Sequence, residues 1–136
     1  MQRRAVITGL GVVSPIGTGT DKFWQAALDG ADAIAPISSF DTADFRTKVG
    51  GEVRDFSPEE HLGPDASNLG RSSQYALAAA MMAVADAGVE YAKEDPYRLA
   101  VSVGTTMGEP QVLEEGIFLT YEDAGLEAVP ADLPGK

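Results

Sequence analysis

Cysteine is absent from the 136 residues, and histidine occurs once, at His61. The missing thiol excludes disulfides, a thiolate nucleophile and cysteine-ligated metal within this chain. A single imidazole argues against a histidine-rich metal site and against an internal Ser–His–Asp triad. We therefore predict that His61 is a surface or helix-capping residue.

Positive charge is scarce as well, because 10 Lys and Arg face 21 Asp and Glu, for a formal net charge of -11. A surface that binds duplex nucleic acid needs clustered cations, so no nucleic-acid partner is expected. No apolar run is long enough to cross a bilayer. Gly9, Gly11 and Pro15 interrupt the apolar stretch at the N-terminus, so no signal peptide is expected there. These absences predict a cytoplasmic protein with no membrane partner.

The composition is that of a globular protein, with 44% apolar and 23% charged residues, and the length suits one domain. Thr20 or Asp21 can cap a helix over residues 22–28. Residues 31–48 are predicted to form a loop with little regular structure. Residues 49–53 favour a short strand or hairpin arm, and Ser57 with Pro58 favours the start of a short helix.

The run Ala5-Val6-Ile7 predicts a buried strand that begins near Arg4 and ends in a glycine-rich exit. Gly9 and Gly11 resemble the start of a dinucleotide-binding motif. Ser14, however, stands where the third glycine belongs, and Pro15 interrupts the helix that would hold the pyrophosphate. We favour a tight strand exit with close backbone packing.

The clearest element is a helix over residues 72–87, which reads SSQYALAAAMMAVADA and stops at Gly88. It is apolar on nearly every face, which is typical of a helix that is buried on all sides. Its alanines allow other elements to approach closely. We predict a helix in a middle layer, between sheets or between a sheet and a partner chain.

Residues 98–104, RLAVSVG, favour a strand, which the turn at 104–108 follows. Ligands of open α/β sheets gather beyond the carboxyl ends of strands, so this turn is the best binding-site candidate. Met107 lies on it, between Thr106 and Gly108, and its position alone leaves packing and pocket gating equally open. Residues 112–121 are predicted to be helical, and the last ten residues to be an irregular tail.

Composition and periodicity therefore indicate an α/β domain without visible catalytic apparatus. The opening RRAVITGLGVVSPIG resembles the N-terminus of the β-ketoacyl-acyl carrier protein synthases, the condensing enzymes of fatty acid and polyketide synthesis. Further stretches agree in order over essentially all of residues 1–136. They are FWQAALDG, ISSFDTADFRTKVGGEV, SSQYALAAAMMAVADAG and RLAVSVGTTMGEPQVLEEG.

The resemblance implies an α/β fold of thiolase type, a layered α-β-α-β-α sandwich of which this chain holds an incomplete N-terminal half. It also implies decarboxylative condensation of an acyl thioester with a malonyl unit on a carrier protein. The family's catalytic cysteine, two histidines and a lysine lie beyond Lys136. We expect residues 1–136 to be the N-terminal part of a synthase domain, as a fragment or one segment of a longer protein, and to be inactive alone. No cofactor and no metal are expected.

The resemblance carries over to a modest set of site residues. Met107 matches the position that gates the family's acyl pocket, flanked by Thr105, Thr106 and Gly108. Val112 and Leu113 resemble positions near the dimer interface. The implied partners are an acyl carrier protein, the remainder of the synthase chain, and a second subunit in a homodimer or in a heterodimer with a chain-length factor.

The sequence departs from the family before the long helix. Where members carry a pattern such as R-M-D-R-F-x-Q-Y, this chain has Leu69, Gly70 and Ser72 in place of Met, Asp and Phe. Carrier proteins are acidic, so docking on this acidic chain needs positive charge from a later segment or a partner. The departure leans toward the polyketide branch. It leaves open the alternative that the chain belongs to a non-catalytic, chain-length-factor-like subunit.

Overall fold

The structure, a computed structural model, describes residues 4–114 and 120–124. The chain divides into two compact units. Of the described residues, the first unit holds 4–57 and 78–89, and the second holds 58–77, 90–114 and 120–124.

The first unit begins with residues 4–12 in no regular element, followed by a small hairpin and a helix. Strand β1 (Val13–Ser14) pairs antiparallel with β2 (Gly17–Thr18), and α1 spans Thr20–Leu28. The prediction of a buried strand from Arg4 is therefore wrong for this chain. Val6 is 79% exposed and Ile7 is 82% exposed. A buried strand needs ladder partners on neighbouring strands, and no described strand pairs with residues 4–12.

The second small sheet of the first unit lies inside the stretch predicted to be loop. Strand β3 (Ile34–Pro36) pairs antiparallel with β4 (Val49–Gly51), with Ala35 opposite Gly50. The strand predicted at residues 49–53 is thus confirmed, whereas the loop prediction for residues 31–48 missed β3. Between the two strands, the rings of Phe40 and Phe45 meet edge to face, with centroids 5.6 Å apart.

The second unit contains short helices. Helix α2 spans Pro58–Leu62, where the serine–proline start predicted it, and a 3₁₀ turn covers Pro64–Asn68. Two further 3₁₀ turns lie at Tyr91–Lys93 and Pro96–Arg98. Residues 98–104 form no strand, which corrects the prediction, and Val101 is 92% exposed because no described strand lies beside it.

The longest helix, which we label α3, spans Arg71–Ala87, one residue longer than predicted. Its burial differs from the prediction. Within α3 only Gln74 and Ala78 are buried, while Met81 is 49% exposed. A helix with apolar residues on every face is fully buried only when other helices or strands pack on all sides of it. The described residues do not surround α3 in this way.

Two short helices end the described chain, α4 (Pro110–Leu113) and α5 (Thr120–Ala124). Proline opens α4, where its missing N–H costs no helical hydrogen bond. The predicted helix over 112–121 thus starts earlier, and its residues 115–119 lie outside the described chain, as does the predicted tail. Among the described helices, none has the length and apolar character needed to cross a membrane.

Candidate functional site

The glycine-rich segment of the first unit packs against the alanines of α3. A Cβ at Gly11 would lie 2.8 Å from the carbonyl carbon of Ala79 and 2.9 Å from the backbone nitrogen of Ala83. Gly9 is equally close to the backbone of Ala83 and Ala87. The predicted close packing of this segment is therefore confirmed, and both glycines serve a packing role.

The turn at residues 104–108 belongs to the second unit. The Thr105 hydroxyl oxygen accepts a hydrogen bond of 3.0 Å from the backbone N–H of Gly108. Gly108 has a φ of 66°, in the left-handed region that a side chain disfavours. A side-chain hydrogen bond and a glycine-only conformation therefore fix the shape of this turn.

Met107 projects from the turn with 71% of its surface exposed, and Thr105 and Thr106 are exposed beside it. Gly108 is half-buried. The structure thus brings all four residues predicted from the sequence into one turn. The predicted interface residues Val112 and Leu113 lie in α4, and their side chains are outside the described part of the structure.

Next to the turn, Glu109 reaches the start of α3. Its carboxylate accepts hydrogen bonds from the backbone N–H groups of Ser73, at 2.6 Å, and Ser72, at 3.2 Å. Partial burial raises the pKa of the Glu109 carboxyl, but the hydrogen bonds from Ser73 and Ser72 outweigh that effect and hold the pKa below its usual value. The charged carboxylate also suits the positive end of the helix dipole.

A cavity of about 170 Å³ lies between the turn and the first residues of α3. Its lining includes Ser72, Ser73 and Ala76 from the helix, and Val103, Thr105 and Glu109 from the chain around the turn. Met107 lies outside this lining. The cavity is thus bounded by residues of the turn and by the first residues of α3.

Three residues at the start of α3, Arg71, Gln74 and Tyr75, agree with the family pattern, and Gln74 holds the preceding segment in place. The Gln74 side-chain amide donates to the carbonyl oxygens of Ala66, at 3.0 Å, and Leu69, at 2.9 Å. Gln74 is buried, so these bonds satisfy a side-chain nitrogen that water does not reach. Arg71 donates to the Tyr75 hydroxyl at 2.6 Å and lies over its ring.

A second group of polar contacts lies in the first unit, around Glu52. Its carboxylate accepts hydrogen bonds from the backbone N–H groups of Ser38 and Ser39 and from the Ser38 hydroxyl, and pairs with Arg54 at 2.9 Å. Hydrogen bonds from Ser39, Arg54 and Ser38 hold the pKa of Glu52 well below its usual range. Arg54 also donates to the Pro36 carbonyl oxygen at the end of β3. The network thus joins the segments after β3 and β4.

Titratable clusters that could hold a metal are not found among residues 4–114 and 120–124. His61 lies in the last turn of α2 and is half-buried.

The sequence comparison decides the family. A profile of the β-ketoacyl synthase N-terminal domain matches residues 2–131. The chain belongs to the β-ketoacyl synthase family. The resemblance drawn from the sequence alone is thereby confirmed.

Individual relatives and a solved structure agree with this β-ketoacyl synthase assignment. The chain is 33% identical to 3-oxoacyl-[acyl-carrier-protein] synthase 2 of Vibrio harveyi over 98% of its own length and 32% of that protein. It is 44% identical to the tetracenomycin polyketide synthase ketoacyl synthase beta subunit of Streptomyces glaucescens over 76% of the chain and 25% of that protein.

The solved structure is that of the ishigamide ketosynthase/chain length factor, with a TM-score of 0.78 and 36% identity. The superposition covers 95% of this chain and 32% of that chain. A ketosynthase-like structure is therefore shown. The chain spans about a third of the length of the synthases that it matches.

The sequence analysis did not predict that Glu109 binds the N-terminus of α3 or that Glu52 bonds to Ser38, Ser39 and Arg54. A signal for Glu109 was present, because Gly70 stands directly before the helix and cannot accept a hydrogen bond with a side chain. The sequence did not reveal which distant acceptor takes over that role.

Proposed function

We propose that this chain is the N-terminal part of a condensing enzyme of fatty acid or polyketide synthesis. The observation that carries the proposal is the structural similarity to a ketosynthase/chain length factor over 95% of the chain, at 36% sequence identity. The family match over residues 2–131 supports the same conclusion.

The proposed reaction has two stages. An acyl group moves from a carrier-protein thioester to a cysteine of the enzyme, and the carrier thiol leaves. A malonyl thioester then loses CO₂, its α-carbon attacks the acyl carbonyl carbon, and the carbon–sulfur bond to the cysteine breaks. The products are a β-ketoacyl carrier protein, CO₂ and the cysteine thiolate, which returns to the thiol by taking up a proton from water.

This chemistry needs groups that the 136 residues do not contain. The chain has no cysteine and one histidine, whereas the family uses a cysteine nucleophile with two histidines that stabilise developing charge. We assign those groups to the remainder of the complete protein. The isolated chain should therefore not condense any substrate.

The layered sandwich is the arrangement that best accounts for the exposed apolar surface of α3 and of residues 99–103. Met81 on α3 is about half exposed, and Val103 is 72% exposed. Exposed apolar surface of this kind is expected to be covered by another part of a protein. In the complete enzyme, we place further layers of sheet and helix over both.

The turn around Met107 is the proposed wall of the acyl site. Met107 matches the family position that gates the acyl pocket, and Thr105, Thr106 and Gly108 flank it. A bulky, flexible side chain on a turn held by the Thr105–Gly108 hydrogen bond can limit the length of an acyl chain. Met107 thus acts as a specificity residue and carries no chemistry.

The proposed partners are an acyl carrier protein and a second synthase subunit. A relative named as a beta subunit and a solved ketosynthase/chain length factor support a paired assembly. The net charge of -11 indicates that docking of an acidic carrier uses cationic residues of another segment or of the partner.

The test is a condensation assay on the complete protein that carries this chain, with acyl and malonyl carrier proteins as substrates. Formation of a β-ketoacyl carrier protein with release of CO₂ is the expected result. The 136-residue chain, purified free of other polypeptides, is the matched negative control. Condensation by that control, or none by the complete protein with its partner subunit, would overturn the proposal.

The second candidate is a non-catalytic subunit that shapes the tunnel, and the similarity to a solved ketosynthase/chain length factor supports it. Sequence identity does not separate the candidates, since the chain is 44% identical to a tetracenomycin ketoacyl synthase beta subunit and 42% identical to the alpha subunit. The residue at the nucleophile position of the complete protein separates the two candidates. A cysteine at that position would show that the protein is the condensing enzyme. A different residue there, together with activity that depends on a second chain, would show that it is the non-catalytic partner.

A further inference from the structure

The N-terminus of α3 lacks a cap from its own residues. The Gly70 carbonyl accepts the first helical hydrogen bond, from Gln74 at 2.9 Å, which puts Gly70 at the N-cap position. N-cap residues normally accept from the second and third helical N–H groups with a side-chain oxygen. Glycine has no such oxygen, so those donors need another acceptor.

Glu109 supplies the missing acceptor, 37 residues after Ser72 and 36 residues after Ser73. Its carboxylate binds the N–H groups of Ser72 and Ser73, which are the second and third residues of α3. It occupies the space that a Gly70 side chain would take, since a Cβ there would lie 2.7 Å from the Glu109 Oε1 and closer to the carboxyl carbon. Gly70 and Glu109 thus fit together as one capping unit.

The same contact fixes the turn. Glu109 follows Gly108 directly, and the Gly108 N–H is held by the Thr105 hydroxyl oxygen. Met107 lies between the two attachment points, Thr105 on one side and Glu109 on the other. Its backbone is therefore anchored to the start of a helix, while its side chain remains exposed.

We propose that Glu109 is a positioning residue, which ties the Met107 turn to the N-terminus of α3 and so keeps the acyl-length gate in one place. The inference rests on the proposed function of Met107. Glu109 touches no reacting atom. Its contribution is to restrict where Met107 can lie, and loss of the tether lets the gate occupy several positions.

The test uses the complete enzyme and two readouts, the chain lengths of its products and the hydrogen exchange of the Ser72 and Ser73 amides. Glu109→Ala should speed exchange of these amides about fivefold, the size expected from losing one helix cap. It should also raise the share of off-length products above that of the parent enzyme. Glu109→Gln, which retains an acceptor oxygen, should show smaller changes in both. Glu94→Gln, which neutralises an exposed glutamate of the same unit, is the matched control and should change neither.

A double variant separates positioning from helix capping. Gly70→Asp in the Glu109→Ala background restores an acceptor at the N-cap, but does not reattach the turn. Exchange at Ser72 and Ser73 should return toward the parent rate, while the product lengths stay broad. Recovery of the parent product lengths in this variant would reduce Glu109 to a helix cap and overturn the proposal.

The outcome at Met107 distinguishes failure of this inference from failure of the proposed function. If Met107→Ala alters product length and Glu109→Ala does not, the inference is overturned and the gate stands. If Met107→Ala leaves product length unchanged in an active enzyme, the gate itself fails. In a Met107→Ala background, Glu109→Ala should add no further change in length, because the side chain that it positions is gone.

Discussion

The carboxylate of Asp86 accepts a hydrogen bond of 2.9 Å from the backbone N–H of Leu10, 76 residues earlier in the chain. The bond fastens the glycine-rich segment to the last turn of α3, beside the close approach of Gly9 and Gly11 to the helix backbone. The Leu10–Asp86 hydrogen bond and the close packing of the two glycines thus hold the same segment against α3.

Removal of the Asp86 carboxylate should loosen this junction. We expect Asp86→Ala to lower the free energy of unfolding of the complete protein by about 1 kcal/mol, the usual value of one hydrogen bond. Asp86→Asn keeps an acceptor oxygen and should cost less. Urea denaturation measures both, with Asp44→Ala at an exposed aspartate of the same unit as control. Equal stability of the three variants would contradict the clamp.

Filling the contact at Gly11 should be more damaging. Gly11→Ala places a methyl group against the backbone of Ala79 and Ala83, which cannot move without bending α3. The expected loss is about 1–3 kcal/mol, typical of an overpacked contact. Gly50→Ala is the control, since its Cβ would lie 3.4 Å from the Ile37 side chain and needs little adjustment. A lower melting temperature for Gly50→Ala than for Gly11→Ala would refute this packing role.

The Glu52 network predicts a pH dependence. Because the folded-state pKa of Glu52 is lowered by Ser39, Arg54 and Ser38, its contribution to stability is complete above the pKa of an ordinary glutamate. The contribution declines as the pH falls below that value and is lost once the folded carboxylate is protonated. Glu52→Gln should therefore be less stable than the parent at neutral pH, and the gap should close in acid. A gap that is independent of pH would argue against the network.

The exposed apolar residues predict how the 136-residue chain behaves alone. Val101 is 92% exposed and Val103 is 72% exposed, and such surface promotes association. We expect aggregates or pairs in size-exclusion chromatography with light scattering. Replacing both valines by lysine should reduce association, while Glu94→Lys, which removes no apolar surface, should reduce it less. A stable monodisperse monomer of the parent chain would contradict the prediction.

The size of the residue at position 107 should set the length of the product. In the complete enzyme, Met107→Ala should admit longer acyl chains and Met107→Trp shorter ones, since a methylene gained or lost in an apolar pocket changes discrimination by about tenfold or more. Met107→Leu conserves volume and is the control. Mass spectrometry of the released products measures the lengths. The same length distribution from the alanine and tryptophan variants would refute the gate.

Helices were more predictable than strands in this chain. The helix over residues 72–87 appears as α3, and the helix over 22–28 lies within α1. Their hydrogen bonds connect residues four apart, so local composition and stop signals were sufficient. The predicted strands at Arg4 and at residues 98–104 do not form, because strand pairing needs neighbours that the described chain does not provide.

The candidate site divides in the same way. The turn that carries Met107 was predicted from the sequence, because a glycine-bounded turn after an apolar run is a local pattern. The role of Met107 in that turn stays a prediction. Glu109 was missed, since its partners Ser72 and Ser73 lie 37 and 36 residues away. The amino-acid sequence alone does not indicate which carboxylate caps which helix.

The sequence by itself determined the family, the bounds of α3 to within one residue and the close packing of the glycine-rich segment, because each depends on composition or on a local pattern. Only the tertiary structure showed that Gly9 and Gly11 pack against the backbone of α3. Only the tertiary structure decided that Glu109 caps α3. It also decided that Glu52 organises the chain after β3 and that the residues around Val101 remain uncovered. These features depend on contacts between distant residues, whose formation is set by the three-dimensional packing of the chain.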